Sequence, residues 1–314
     1  MSRDFWHDVN AHLEVAEVGT ADSVGDAFET PPIIILAPPR GGSTLLQQVL
    51  ISTGTYGYVS NIMARFWRAP LFGARLQNSL NEPDFVSSFV SKYGNTVGPL
   101  EPHEWGWFWQ RWFDLRNDEH YISRTVEWHG LRRTLRAMEH IHGAPLIFDN
   151  GFLCANLDRI ERGIGPILVL NLTRSPWHVC NSLVNARIER YQDINRFYGA
   201  RPRRMDLIEA ASDPVEKAVL QARLLQDETD AHLALFPSNQ VLDISYEALR
   251  AEPMSAVESV TAFVARHGTR ITGKPAVLRS FPDRNRAATV HRDYRRRLDT
   301  LVAASFTDAA IPDW

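Results

Sequence analysis

The run Ile33-Ile34-Ile35-Leu36-Ala37 narrows what this chain can fold into more than any other stretch. It is apolar at every position, so both faces of the strand it forms must be covered, as in the centre of a parallel sheet. Pro31-Pro32 stops any helix before it, and Pro38-Pro39-Arg40-Gly41-Gly42-Ser43-Thr44 supplies a tight turn after it. Leu45, Leu46, Val49 and Leu50 then recur at helical spacing, so the unit is strand, glycine loop, helix. Further buried strands are expected at Pro145 to Asp149, Ile167 to Leu172 and Val241 to Ile244. Ser175 suits the N-cap and Pro176 the first position of a helix reaching Tyr191, and Asp213-Pro214 opens another that runs to about Leu235. Strands alternating with helices predict an α/β fold, a parallel β-sheet flanked by helices. Residues 1 to 30 read as a surface helix or arm. No fixed-period repeat or low-complexity linker divides the chain, so residues 1–314 are expected to form a single domain with a mainly helical insertion at about 60–140.

Composition excludes several classes. With 44% hydrophobic and 23% charged residues there is ample material for a core, and the chain is not a disordered one. Lys plus Arg number 34 against 37 Asp plus Glu, a net charge of -3, which argues against whole-chain nucleic-acid binding while leaving room for a local basic patch around an anion. Two cysteines, Cys154 and Cys180, make neither a disulfide framework nor a zinc site and suit a reducing compartment. The first residues are polar where a signal peptide needs an apolar stretch, and no apolar run approaches the roughly 20 residues of a membrane span. A cytoplasmic protein is expected, with no membrane span. No His, Cys or carboxylate spacing demands a metal.

A strand feeding a glycine loop at a helix start brings free N–H groups and the positive end of the helix dipole to one spot. In Arg40-Gly41-Gly42-Ser43-Thr44 the glycines admit an anion, the hydroxyls donate hydrogen bonds and Arg40 adds charge; the same residues could also form an ordinary tight turn. The loop lacks both the lysine and the glycine spacing of G-x-x-x-x-G-K-S/T, which disfavours a nucleoside triphosphatase and leaves an atypical kinase open.

Pro39 to Leu46 resembles the 5′-phosphosulfate loop of sulfotransferases that use 3′-phosphoadenosine 5′-phosphosulfate (PAPS), in which Pro is followed by Lys or Arg, Ser, Gly, Ser or Thr, and Thr. That family carries a second signature, an arginine after a buried strand and a serine eight residues on, which together hold the 3′-phosphate; Arg174 and Ser182 match it. Ile244-Ser245-Tyr246-Glu247-Ala248-Leu249, followed by Glu252-Pro253, is similar to a third family segment. The resemblance covers residues 31 to about 265, is poorest in the insertion, and points to the branch with Arg in the loop. It departs at Gly41, where the family usually has Ser. It implies a P-loop-like sheet, PAPS as sulfuryl donor without a metal, and Arg40, Gly41, Gly42, Ser43, Thr44, Arg174 and Ser182 as nucleotide ligands. Taken apart from it, Arg174 could simply pair with a carboxylate and Ser182 could be a helix-packing residue.

Sulfuryl transfer needs in-line placement, stabilised charge on the leaving phosphate, and a base for the acceptor hydroxyl or amine. Arg40 stays protonated and suits the electrostatic task. For the base, Glu101-Pro102-His103-Glu104-Trp105 offers titratable groups beside indoles; the order of preference is Glu104, His103, Glu101, and the alternative is a solvated loop. Trp105, Trp107, Phe108, Trp109, Trp112 and Phe113 either line an acceptor pocket or form core, and Asn61 to Trp67 is a further pocket candidate. Asp149-Asn150 ends a strand at the carboxyl edge, where ligands of α/β proteins bind; the family often has a lysine near there, and this chain does not. Family members often close a basic C-terminal loop over the nucleotide, which makes Arg284 and Arg286 candidates; Arg292, Arg295, Arg296 and Arg297 read as a solvated helix face. His129, His140 and His178 show no ligand pairing and read as structural or exposed. The expected partner is a small-molecule or carrier-bound acceptor. Two other functions remain open: an ATP-dependent small-molecule kinase, and a catalytically silent nucleotide-binding module whose aromatic insertion docks a protein.

Overall fold

A computed structural model describes residues 3–17, 25, 27–80, 85–115, 120–268, 278–283 and 292–306. In chain order its strands are β1 (Ile33–Leu36), β2 (Ser91–Lys92), β3 (Asn95–Thr96), β4 (Ile147–Asp149), β5 (Leu168–Thr173) and β6 (Val241–Ser245). β4, β1, β5 and β6 lie side by side in that order, all parallel, with Ile33 opposite both Ile147 and Leu168, and Thr173 opposite Ser245. The parallel sheet and flanking helices expected from the alternating pattern are present, and each of its four strands starts within two residues of the expected position, while the β2–β3 ribbon was not expected.

The helices are α1 (Arg3–Glu17), α2 (Ser43–Ile51), α3 (Pro70–Leu80), α4 (Gly106–Phe113), α5 (Trp128–His142), α6 (Gly151–Cys154), α7 (Leu157–Ile164), α8 (Pro176–Tyr191), α9 (Met205–Ala210), α10 (Pro214–Leu233), α11 (Tyr246–Ala251) and α12 (Pro253–Ala265), with a further helix at Arg292–Ser305. Pro176 starts α8 as its fixed φ favours, although the Ser175 hydroxyl makes no cap bond. Asp213 does cap α10, accepting from the amides of Val215 and Glu216.

β1 explains why its sequence is apolar throughout. Ile33 and Ile35 join a cluster with Leu46, Val49 and Leu50 of α2 and with Val260 and Phe263 of α12. Ile34 and Leu36 face the opposite cluster, with Trp105, Phe108 and Trp109 of the α4 region and Leu131 and Leu135 of α5. Burying each such side chain contributes about 1.5–3 kcal/mol, so a polar residue at any β1 position would be felt. A third cluster joins α8, α10 and the helix Arg292–Ser305 through Trp177, Leu183, Val219, Leu298 and Val302. Between residues 60 and 140 lie α3, α4, α5 and the short antiparallel ribbon β2–β3. No described helix is long and apolar enough to cross a membrane.

Candidate active site

The glycine loop turns sharply out of β1. The Gly41 amide donates to the Pro38 carbonyl at 2.8 Å, Arg40 takes a positive φ of 66°, and Gly42, φ 99°, is the N-cap of α2. Both glycines are close-packed. A Cβ at Gly41 would sit 2.8 Å from the Pro38 carbonyl oxygen, and one at Gly42 would sit 2.4 Å from the Tyr246 ring. A serine at position 41 would therefore clash with Pro38 in this turn. The Leu45 and Leu46 amides donate to the Gly42 carbonyl, which leaves the Ser43 and Thr44 amides as the N-terminal donors of α2 at the carboxyl edge of the sheet.

On the β5 and β6 side of the loop the wall is cationic. Arg174, directly after β5, lies with its guanidinium 4.4 Å over the ring of Tyr246, the first residue after β6, and donates to the Arg40 carbonyl. Burial lowers the affinity of Arg174 for its proton, yet an arginine keeps its charge under such conditions. Arg40 Nε donates to Ser182 Oγ at 3.1 Å, and its guanidinium lies 5.1 Å from the Tyr93 ring centroid. The Tyr93 hydroxyl donates to Glu189. His178, one helical turn beyond Arg174, is pushed below its ordinary value by burial and by Arg174.

On the β4 side the wall is acidic. Asp149 ends β4, the Ser43 hydroxyl donates to it, and its Oδ2 is buried without a hydrogen-bond partner. Next to it, Asn150 accepts from the Phe152 amide at 2.7 Å to cap α6 and donates to the Glu104 carbonyl at 2.8 Å, which pins the Glu104 backbone to the strand end. The Glu104 carboxylate lies under Gly94, φ 82°, where a Cβ would stand 2.7 Å from its Oε1. Glu104 is open to the cavity, yet the atoms packed around it, and then the neighbouring Asp149, push its carboxyl above the usual carboxylate range, and burial pushes Asp149 up as well. The charge on Asp149 thus opposes ionisation of Glu104 unless a cation lies beside them.

The two walls enclose one cavity of about 860 Å³. Of the residues singled out in the sequence, Arg40, Gly42, Ser43, Thr44, Glu104, Asp149, Asn150, Arg174 and Ser182 line it. Gly41 sits behind the loop. His103 is turned away: its Nδ1 accepts the Trp105 amide at 2.8 Å, fixing the start of α4. Glu101 is buried elsewhere, accepting from Gln48 Nε2 at 3.0 Å and Ser87 Oγ at 2.7 Å. The aromatic run is core, with Trp105 stacked on Phe108 at 3.6 Å and Trp109 edge-on to Phe148. None of its rings lines the cavity, and Trp107 faces outward against Trp67. Asn61 braces the ribbon through Thr96 and Gly98, and residues 61–67 do not reach the cavity. Arg284 and Arg286 lie outside the described residues. Arg295 bonds Asp299 and Arg297 bonds Asp213, away from the cavity. Sequence reasoning missed Phe89, Tyr93, Phe152, Tyr198 and Glu228 on the wall, and His178, expected to be structural or exposed, lines it as well.

Fold and site together define a parallel α/β protein whose loop after the central strand opens on a cavity with one cationic and one acidic wall. The sequence profile of the sulfotransferase family matches residues 31–266, and the chain belongs to that family. Comparison with curated proteins by sequence finds no match. Among solved structures, a sulfotransferase from Mycobacterium tuberculosis is similar at 14% identity and a TM-score of 0.55, covering 94% of this chain and 81% of that one. A sulfotransferase from Mycobacterium avium is similar at 13% identity and a TM-score of 0.52, covering 96% and 82%. At such identities the likeness is one of fold.

Proposed function

We propose that the chain transfers a sulfuryl group from PAPS to a hydroxyl or amine acceptor by in-line displacement. One observation carries the reading: a carboxylate with a raised proton affinity, Glu104, lines the same cavity as the loop 40–44 and the Arg174/Ser182 pair. In it the amides of the loop and Arg40 receive the 5′-phosphosulfate, and Arg174 with Ser182 holds the 3′-phosphate. Tyr246 supports this cationic side by stacking beneath Arg174. As the S–O bond to the nucleotide breaks, negative charge grows on the 5′-phosphate, where Arg40 and the N-terminal end of α2 stabilise it. Glu104 takes the acceptor proton, a role that suits a carboxylate open to the cavity whose surroundings make it a stronger base than usual. Asn150 and Gly94 fix its position. His103 and Glu101 take no part in the step, since each is committed to a structural hydrogen bond.

Calorimetry against adenosine 3′,5′-bisphosphate, AMP and ATP tests the donor reading. The bisphosphate is expected to bind at least about tenfold more tightly than AMP, the value of one charge-assisted contact to its 3′-phosphate. Sulfate transfer from labelled PAPS should then be measurable on an acceptor panel. Equal affinities for the bisphosphate and AMP would overturn the reading, and preference for ATP would favour a kinase.

A further inference from the structure

The proposed function leaves the acidic wall only half explained. A single general base suffices for a hydroxyl acceptor, yet two carboxyls face the cavity on the β4 side, Asp149 buried and Glu104 open to the cavity. Among the described residues no lysine or arginine forms an ion pair with either, and the Asp149 Oδ2 is buried with no hydrogen-bond partner. Arg174 belongs to the opposite flank, because it follows β5 and the sheet order places β1 and its loop between β5 and β4. Burying the Asp149 carboxyl without a counter-charge costs stability, and an unpaired buried carboxyl beside a second one on a cavity wall is expected where a ligand supplies the missing cation. Among the described residues no group of three His, Cys, Asp or Glu could hold a metal ion by itself, so a divalent cation here would need ligands from a substrate phosphate, a case that metal titration separates from an amine.

We propose that the acceptor is a primary amine, which enters as its ammonium ion and is held between Glu104 and Asp149 on the β4 side of the glycine loop. The inference rests on the PAPS reading of the same cavity. The chemistry explains the number of carboxylates. An ammonium is not a nucleophile, so one proton must first pass to one carboxylate. The freed lone pair then forms the N–S bond while the S–O bond to the 5′-phosphate breaks, its electron pair leaving on the phosphate oxygen. The second proton passes from nitrogen to the other carboxylate, and the product is the sulfamate R–NH–SO3⁻ with adenosine 3′,5′-bisphosphate. A hydroxyl acceptor would release one proton only. The Ser43–Asp149 hydrogen bond ties this pair to the donor loop, so the acceptor nitrogen is set against the end of the loop where the sulfuryl group sits. Phe152, beside Asn150 on the wall, offers an apolar surface for the body of the amine.

The test uses the full chain saturated with adenosine 3′,5′-bisphosphate and titrated by calorimetry with a matched pair of probes, 2-phenylethylamine and 2-phenylethanol. The amine is expected to bind at least about tenfold more tightly, as a charge-assisted hydrogen bond predicts. Labelled PAPS should place sulfate on nitrogen in preference to oxygen. Asp149→Asn and Glu104→Gln should each cut the amine preference to within a few-fold, and if one variant does not fold the other still reads the same quantity. Equal binding of the two probes, or transfer to the alcohol alone, overturns the proposal. So does magnesium or calcium binding to the parent protein that Asp149→Asn abolishes, which would give the pair to a metal. Failure of adenosine 3′,5′-bisphosphate to bind would instead defeat the donor reading, and titration of both probes into the free protein would still decide this one.

Discussion

The two walls of the cavity are built in opposite ways. On the β5–β6 side, each candidate ligand stands directly after a strand or within about two helical turns of it, and the charge is carried by arginines that stay protonated at any pH the protein meets. On the β4 side, Asp149 ends a strand but Glu104 arrives from the long segment between α2 and β4, and both groups can gain or lose a proton near neutrality. Fixed positive charge suits holding an anionic donor; switchable negative charge suits moving protons from an acceptor. The difference teaches where substitutions should separate binding from turnover.

The largest separation is expected at Glu104. Glu104→Gln keeps the size and the Asn150 contact to its backbone but removes the proton acceptor, so turnover should fall by about 10²–10⁴-fold while nucleotide affinity stays within a few-fold. His103→Gln is the matched control and should turn over near the parent rate, because His103 serves the Trp105 amide and not the cavity. Labelled-PAPS assays with calorimetry on both variants check this, and near-normal turnover in Glu104→Gln would make the acidic wall a binding surface alone.

The cationic wall should show the reverse. Arg174→Ala removes the guanidinium stacked on Tyr246 and should weaken adenosine 3′,5′-bisphosphate about 10- to 150-fold. AMP affinity should hardly change, since AMP has no 3′-phosphate to lose. An equal loss for both nucleotides would mean that Arg174 only buttresses the loop through its bond to the Arg40 carbonyl.

The same contrast governs what could be read from the sequence. Strand, loop and helix around Ile33 to Leu50 were legible because an all-apolar run, a glycine turn and helical spacing leave few alternatives. Arg174 and Ser182 were legible because their spacing is local to one strand end and one helix. The fate of the aromatic run was also written locally: Trp105, Phe108, Trp109, Trp112 and Phe113 follow the i, i+3, i+4, i+7, i+8 pattern of a buried helix face, and Trp107 falls on the other side. Phe89, Tyr93, Tyr198 and Glu228 were not legible, because they reach the cavity from unrelated loops and helices whose meeting is set only by long-range packing. Phe89 and Tyr93 further adopt left-handed backbone, φ 56° and 55°, which no local pattern of these residue types announces. The Glu104–Asp149 pairing was hidden for the same reason, since 45 residues separate its members and the Asn150 bond that joins them bridges two elements.

The smallest expected effect is a displacement of a pH profile, and it tests whether the two carboxyls act on each other. Glu104 is raised by burial first and by Asp149 second, so the rising limb of kcat/KM should lie above the ordinary carboxylate range near 4.3. Asp149→Asn removes the second cause and leaves the first, while Asn still accepts the Ser43 hydroxyl. The limb should therefore move to lower pH without reaching the ordinary value. His178 and His232, which line the same cavity, are pushed below their usual value by burial, and burial pushes the Cys154 thiol up to about 12. Stability should follow with a definite sign. A carboxyl whose folded-state proton affinity is raised binds more protons folded than unfolded, so its contribution is full below the unfolded value and is lost as pH rises toward the folded one. Thermal unfolding without any ligand should show the parent protein losing Tm between pH 5 and 8.5, and Asp149→Asn losing less. If the variant loses as much as the parent and its kinetic limb stays in place, the two carboxyls titrate independently, and Glu104 owes its raised proton affinity to burial alone.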